Sequence, residues 1–508
     1  MRNLGKLAFR RLVLVSLGLL LQVGMMLLFF VWLADLRPWF QAFMLALRAV
    51  FVVHLVSARI DPSYKIAWLI LILALPVAGV SIYLFLGGNR LSRREKRKMV
   101  SMGLMMEQNL QEDPSVRAAL ADQSPAAEKQ SRYLYSRAMV PLYRDTWTEY
   151  YPCGEDCFPR MLEELRKAKH YIFLEYFIIG EGKMWGEILQ VLKEKAAQGV
   201  DVRLIYDDFG CIRHLPSGYP RLLQEFGISA KVFNPFVPVL SGRLNNRDHR
   251  KLMVIDGKAG FTGGINLSDE YINHKKRFGY WKDAGLFLRG GAVWSMTVQF
   301  LSMWNYISGT DADCRQYLPD VLPTVGAGFV QPFSDSPLER ERVGQTVLLN
   351  LITRAEKSVY IMTPYLVLNE SVTTALCNAA KSGVDVRIVT PGIPDKPYVY
   401  AMTRANYAAL TAAGVRIYEY LPGFLHSKVF LVDGKTCVVG TVNLDYRSLY
   451  LHFENGVWLH GTEAVAAVAE DFESTFPQCR EVTHTMAKNV PGYHRICRSV
   501  LHLFAPLM

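Results

Sequence analysis

Two histidines and two lysines recur at one spacing in two places along this chain of 508 residues. His249 and Lys251 open the first copy, which continues through four apolar residues to Asp256, Gly263 and Asn266. His426 and Lys428 open the second, which runs through four apolar residues to Asp433, Gly440 and Asn443. Both read H-x-K-x4-D-x6-G-x2-N, with the histidines 177 residues apart. One such pattern arises by chance in roughly one chain of this length in several thousand, so a matched pair points to chemistry. A neutral imidazole can act as nucleophile or proton donor near pH 7, and an ammonium group can hold a phosphate oxygen. Asn266 and Asn443 can add amide donors to the same anion. The competing reading, core strands with solvated polar residues, fits one copy as well as chemistry does but fits two copies poorly.

The elements that must position these groups follow from the same letters. Residues 252–255 and 429–432 are short apolar runs, each followed by Asp-Gly-Lys, which predicts a buried strand entering a hairpin turn. Residues i and i+2 share a face of a strand, so each histidine points with its lysine. Asp256 and Asp433 complete the pattern but sit in the turn, where holding the hairpin or pairing with a basic residue suits them better than carrying protons.

The repeat extends beyond the hairpins. Residues 168–177 parallel 355–365, residues 199–205 parallel 383–389, and residues 283–290 parallel 454–461. Strands alternate with helical stretches, which predicts two α/β halves with mostly buried sheets, residues 136–320 and 321–508. Two such halves facing each other bring both histidines to one pseudo-twofold site. Asp283 and Glu454 occupy equivalent places, each opening a Gly-containing strand after its own histidine. A catalytic histidine needs an acceptor on its far nitrogen to fix tautomer and orientation, so Asp283 is the candidate for His249 and Glu454 for His426. A surface ion pair at a strand start is the alternative. Tyr206, Asp207 and Asp208 end a first-half strand, either lining the site or forming an ordinary turn. His170, His274, His452 and His460 lack a lysine partner and make no comparable case.

The doubled pattern resembles the signature of the phospholipase D superfamily, and with the hydrophobic segments before it the chain is most similar to bacterial cardiolipin synthases. The resemblance covers nearly the whole chain. It implies phosphoryl transfer through a covalent phosphohistidine, with no metal or organic cofactor. It also implies that His249 is the nucleophile and His426 the general acid and base, while Lys251, Lys428, Asn266 and Asn443 hold the phosphate. Gly264 stands where a small hydroxyl residue is common, whereas Thr441 keeps it, so Thr441 is the expected extra phosphate donor. The expected reaction joins two phosphatidylglycerol molecules into cardiolipin and releases glycerol. A phospholipase D that uses water and makes phosphatidic acid is the close alternative, and a nucleic-acid phosphodiesterase a more distant one.

Charge location separates these readings. Residues 1–100 carry 14 Lys and Arg against 3 Asp and Glu, which accounts for the whole net charge of +11 and leaves the rest balanced at 43 of each sign. A non-specific nuclease would carry its excess where phosphates bind, so no nucleic-acid partner is expected. Phospholipids in a membrane are the expected partners; oligomeric state is open.

Three hydrophobic segments precede the repeat: residues 12–34, residues 38–57 interrupted by Arg48 and His54, and residues 67–87 with a proline kink at Pro76. The Arg and Lys cluster from Arg90 to Lys98 then predicts two or three transmembrane helices in the plasma membrane with a cytoplasmic catalytic body. Residues 101–135 read as a polar, partly helical linker. Of the eight cysteines only Cys153 and Cys157 are close, giving a possible local disulfide or, more blandly, reduced thiols. Ile496, Val500, Leu503 and Phe504 predict a terminal helix packing on the domain.

Overall fold

The computed structural model describes residues 2–34, 38–58, 60–75, 78–87, 92–237, 242–320, 326–492 and 500–501. Two mixed sheets form its body. The first contains β1 (Thr146–Tyr151), β2 (Tyr171–Tyr176), β3 (Asp201–Asp207), β4 (Ser229–Phe233), β5 (Lys251–Ile255), β6 (Ala259–Gly263) and β7 (Gly285–Gly290), in the order β1-β7-β6-β5-β2-β3-β4. The second contains β8 (Phe329–Asp335), β9 (Ser358–Met362), β10 (Asp385–Pro391), β11 (Arg416–Tyr420), β12 (Val429–Val432), β13 (Thr436–Gly440), β14 (His452–His460) and β15 (Cys479–Val482). Its order is β8-β14-β13-β12-β9-β10-β11-β15. Apart from the added edge strand β15, the two sheets have one topology. In each, three strands joined by helices run parallel and the motif hairpin pairs antiparallel with the first of them.

Alternation along the strands divides the apolar residues. Phe173, Leu252 and Val254 enter the core that also holds Val359, Ile361 and Leu431 of the second sheet. Ile172, Leu174, Met253 and Ile255 face the opposite way, onto the helices Gly154–Lys167 and Lys183–Ala197. The helix Ala292–Ser308 is apolar on nearly all sides because it lies between the halves. It contacts β8 of the second sheet and β4, β5 and β7 of the first, and Phe300 stacks on Phe173 at 4.6 Å.

The motif turns have a clear local cause. Asp256 and Asp433 adopt positive φ of 51° and 53°, followed by Gly257 and Gly434 at 63° each, the mirror-image turn that matches strand twist. Each Asp carboxylate then accepts three backbone N–H groups at the start of the neighbouring strand. These are Lys169, His170 and Tyr171 for Asp256, and Glu356, Lys357 and Ser358 for Asp433, at 2.7–3.0 Å. The motif aspartates thereby fasten the hairpin to β2 and to β9.

Residues 101–135 are more than a linker. The helices Arg93–Asn109, Pro114–Gln123 and Pro125–Ala138 start at side-chain caps from Ser92, Asp113 and Ser124, and their Met106, Leu120 and Leu134 join the main core. Among the described residues of the N-terminal region one helix, Arg2–Ala34, is long and apolar enough to cross a membrane, over Leu12–Phe29. The second expected span forms the helix Pro38–Ser57, whose apolar part is shorter. The third is not one helix. It divides into Pro62–Ala74 and Ala78–Leu86, as a proline at 76 favours, and Gly79 lies so close to the backbone of Leu71 that a Cβ would sit 2.3 Å from its carbonyl oxygen. The two pieces therefore pack on each other rather than spanning in line. This region touches the body: Val15 packs with Ile212 and Phe236, and Tyr450 donates to Asp61 at 3.3 Å. Cys153 and Cys157 are free thiols. The expected terminal helix lies largely outside the described residues.

Candidate active site

The two motifs meet because each half lends a short strand to the other. Arg247–Asp248, just before the first histidine, pairs in parallel with His452 and Phe453. Gly423–Leu425, just before the second, pairs in parallel with Tyr280–Lys282. The ladder continues into the histidines, with His249 N–H donating to Phe453 O at 2.9 Å and His426 N–H to Lys282 O at 2.7 Å. Each histidine is thus seated beside the residue that precedes the opposite half's carboxylate.

The consequence corrects the pairing expected from sequence. His249 Nδ1 lies 2.9 and 3.1 Å from the Glu454 oxygens, and His426 Nδ1 lies 2.7 Å from Asp283 Oδ2. Position after "its own" histidine in the chain was the wrong guide, because the pseudo-twofold swaps the carboxylates between halves. A carboxylate on Nδ1 places the proton of the neutral ring there and leaves the Nε2 lone pair for chemistry. Glu454 is itself held by the Ser448 hydroxyl at 2.6 Å and by the Thr441 hydroxyl. Asp283 has the Ala284 N–H at 2.8 Å.

Burial sets the electrostatics. His249 is 6% exposed and His426 7%, while Lys251 and Lys428 are each 1% exposed. Desolvation, followed by repulsion from Lys251 and Lys428, holds the His249 imidazole well below its ordinary range. Desolvation and Lys428 bring His426 down to about 4, against the opposing pull of Asp283. Burial also lowers Lys251 to about 7 and Lys428 to about 8, with Glu454 and Asp283 countering it. The site is therefore built from groups near neutrality that an arriving phosphate anion would favour in their charged forms. Lys251 Nζ donates to His249 O at 2.6 Å, and Lys428 Nζ donates to His426 O and also lies 2.9 Å from His426 Nδ1, the nitrogen that faces Asp283.

The remaining sequence candidates separate. Asn266 is fully engaged on its oxygen, accepting from Ile178 N–H at 2.9 Å, and gives one N–H to Tyr271 Oη at 2.7 Å. Asn443 has a buried Oδ1 with no partner among the described residues. Thr441, expected on the phosphate, instead spends its hydroxyl on Glu454, so its place is behind His249 rather than on the anion. At the equivalent Gly264 a Cβ would sit 1.9 Å from Asp283 Oδ1, so the shorter carboxylate occupies that space. Asp207 ends β3 and accepts Asp248 N–H at 3.1 Å, steadying the residue before His249.

Two neighbours escaped the sequence reading. Ser448 lies in the short helix Tyr446–Tyr450 after Asn443, with no spacing signal to find it. His452 sits two residues before Glu454 on β14, its ring centroid 5.3 Å from that of His249, and burial brings it down to about 3. The i, i+2 relation to Glu454 was the available signal; the search for a lysine partner passed over it.

Known proteins carry the same arrangement of sequence. Residues 161–278 and 348–476 match the family described as cardiolipin synthase, PLD-like domain, and residues 46–88 match a phospholipase D-nuclease N-terminal segment. A cardiolipin synthase of Geobacillus kaustophilus is 36% identical over 88% of this chain and 89% of its own length. The chain belongs to the cardiolipin synthase family. An uncharacterized protein of Streptococcus mutans is 41% identical over 90% of this chain and 99% of its own length. Among solved structures, the phosphatidylserine synthase of Haemophilus influenzae Rd KW20 shares the fold at a TM-score of 0.57 and 16% identity, covering 75% of this chain and 98% of that one. The two matched stretches of the cardiolipin synthase family begin in the helices before β2 and β9, and the second contains the whole of the second motif.

Proposed function

We propose that this member of the cardiolipin synthase family transfers a phosphatidyl group from one phosphatidylglycerol to the hydroxyl of another, giving cardiolipin and glycerol. The observation that carries the reading is the meeting of two His–Lys pairs, each imidazole backed by the other half's carboxylate. His249 Nε2 attacks phosphorus, the bond from phosphorus to the glycerol oxygen breaks, and His426, carrying a second proton on Nε2 once the phosphate anion is bound, gives that proton to the oxygen. His426 then takes the proton of the incoming phosphatidylglycerol hydroxyl, which attacks phosphorus and breaks the P–N bond, restoring His249. Lys251 and Lys428 hold the non-bridging oxygens, with amide donors from Asn266 and Asn443. Asp256 and Asp433 support this centre by fixing the two hairpins.

The N-terminal region supports a multi-pass anchor in the plasma membrane with the catalytic body in the cytoplasm. The helix over Leu12–Phe29 is long enough to cross, and the Arg and Lys cluster before the body carries the charge expected on the cytoplasmic side. Its packing on Ile212 and Phe236 would keep the site close to its lipid substrates.

The test is the purified full-length protein in phosphatidylglycerol vesicles with a chelator present, beside His249→Ala and His426→Ala. Cardiolipin and glycerol in matched amounts, lost in both variants, is the expected result. Phosphatidic acid without cardiolipin would replace the transferase reading with hydrolysis.

A further inference from the structure

Glu454 faces a second imidazole besides His249. His452 leaves the same face of β14 as Glu454, and it is 8% exposed. Its Nδ1 stops 3.6 Å from Glu454 Oε1, and neither of its ring nitrogens has a hydrogen-bond partner among the described residues. A buried polar ring left this way is disfavoured, and in folded proteins such a group calls for a bound water, an ion or a chemical role to account for it. The equivalent residue of the other half is Trp281, likewise 5.3 Å in ring centroid from the opposite histidine, His426, but an indole cannot ligate a cation. The feature belongs to one half.

His249, His452 and Glu454 each bring a ligand atom to within 4.8 Å of the other two. Two imidazoles and one carboxylate are a zinc donor set, and zinc bonds of about 2.0–2.2 Å place donors roughly 3.4 Å apart. Measured to one oxygen, Glu454 Oε1, the separations of 3.1 Å from His249 Nδ1 and 3.6 Å from His452 Nδ1 already bracket that value. We propose that these three side chains form a binding site for a divalent transition metal of the zinc class, and that metal bound there switches the centre off. The metal takes the lone pair of His249 Nδ1, and the single ring proton moves to Nε2. No net proton is gained or lost, and Nε2 no longer has the electron pair that must reach phosphorus. Glu454 exchanges its hydrogen bond to His249 for a metal bond, and His452 supplies the third. The nearby ammonium groups of Lys251 and Lys428 oppose a cation, so the metal exchanges with a chelator rather than being held permanently.

The effect on rate rests on His249 as the nucleophile; binding of the metal does not. The test uses the full-length protein in detergent micelles, stripped with chelator and then equilibrated with zinc alone. Zinc bound per chain is measured by equilibrium dialysis, and phosphatidyl transfer is measured in parallel. Wild type is expected to hold one more zinc than His452→Asn and His452→Phe, two replacements of different polarity. Wild-type transfer is expected to fall at least tenfold with zinc and return with chelator, while each variant stays within twofold of its own metal-free rate. Equal zinc content in wild type and both variants would overturn the site. Zinc held through His452 without loss of rate would overturn the switch. A protein that makes no cardiolipin under any condition would fail the functional reading, yet the dialysis result would still decide the site.

Discussion

The crossed carboxylates make a prediction that a pairing within each half would reverse. Glu454→Gln keeps shape but removes the charge that holds His249 Nδ1, while Asp283→Asn does the same to His426. A hydrogen bond to a charged group contributes about 1.5–3 kcal/mol, so each change should slow its own histidine's step roughly 10- to 150-fold. The steps can be told apart with a phosphatidyl ester of nitrophenol, whose leaving group departs without a proton. The assay is a rapid-mixing burst of nitrophenolate with detection of phosphohistidine after quenching in denaturant at alkaline pH, where the P–N bond survives. Asp283→Asn should show a burst near the wild-type rate and then accumulate phosphohistidine, because the second step still needs a base to activate the acceptor hydroxyl. Glu454→Gln should slow the burst itself and accumulate nothing. The opposite result, a normal burst in Glu454→Gln and a slow one in Asp283→Asn, would refute the assignment of His249 as the nucleophile served by Glu454. Identical behaviour would refute the idea that the crossing has a chemical consequence.

Other expectations follow from single residues. Gly264→Ala places a Cβ 1.9 Å from Asp283 Oδ1 and should reproduce the Asp283→Asn kinetics together with a lower melting temperature, measured by calorimetry. Asp256→Ala frees three backbone N–H groups and puts Ala in left-handed backbone, so it should lower stability by about 2–3 kcal/mol in denaturant titration while leaving the activity of the folded fraction largely intact. Lys251 and Lys428 lose their charge as pH rises through about 7 and about 8, so phosphate affinity is full below that window and falls above it. In steady-state assays across pH, kcat/KM should therefore decline on the alkaline side through a rise in KM, and inorganic phosphate should weaken as a competitive inhibitor over the same range.

Much of the site was legible because its chemistry is written locally. His249 and Lys251 are two residues apart on one strand face, and Asp256-Gly257 is a turn that needs positive φ, so spacing alone placed them. The doubled topology was legible for the same reason. The pairing of His249 with Glu454 was not, since it depends on which strand end of one half reaches the other, and that is a tertiary fact with no local signature. Thr441 shows the same limit: it is expected on the phosphate because it keeps the small hydroxyl that Gly264 lacks, and only the tertiary structure shows that hydroxyl donating to Glu454. Residues 67–87 read as one span with a tolerated kink at Pro76, because hydropathy cannot register that Gly79 packs against the backbone of Leu71 and folds one piece against the other. His452 was passed over because a histidine was expected to earn its role through a lysine rather than through a shared carboxylate.

The crossing also makes the two halves depend on each other. Neither half holds a complete histidine–carboxylate pair: His249 of the first half meets Glu454 of the second, and His426 of the second meets Asp283 of the first. Around His426 the space of a side chain at Gly264 is taken by Asp283, and around His249 Thr441 and Ser448 brace the longer Glu454. Trp281 flanks His426 and His452 flanks His249, at the same ring separation of 5.3 Å. An aromatic wall beside one imidazole and a second imidazole beside the other give the two histidines different surroundings, so the proposed division into a nucleophile and an acid–base has a physical basis in the site.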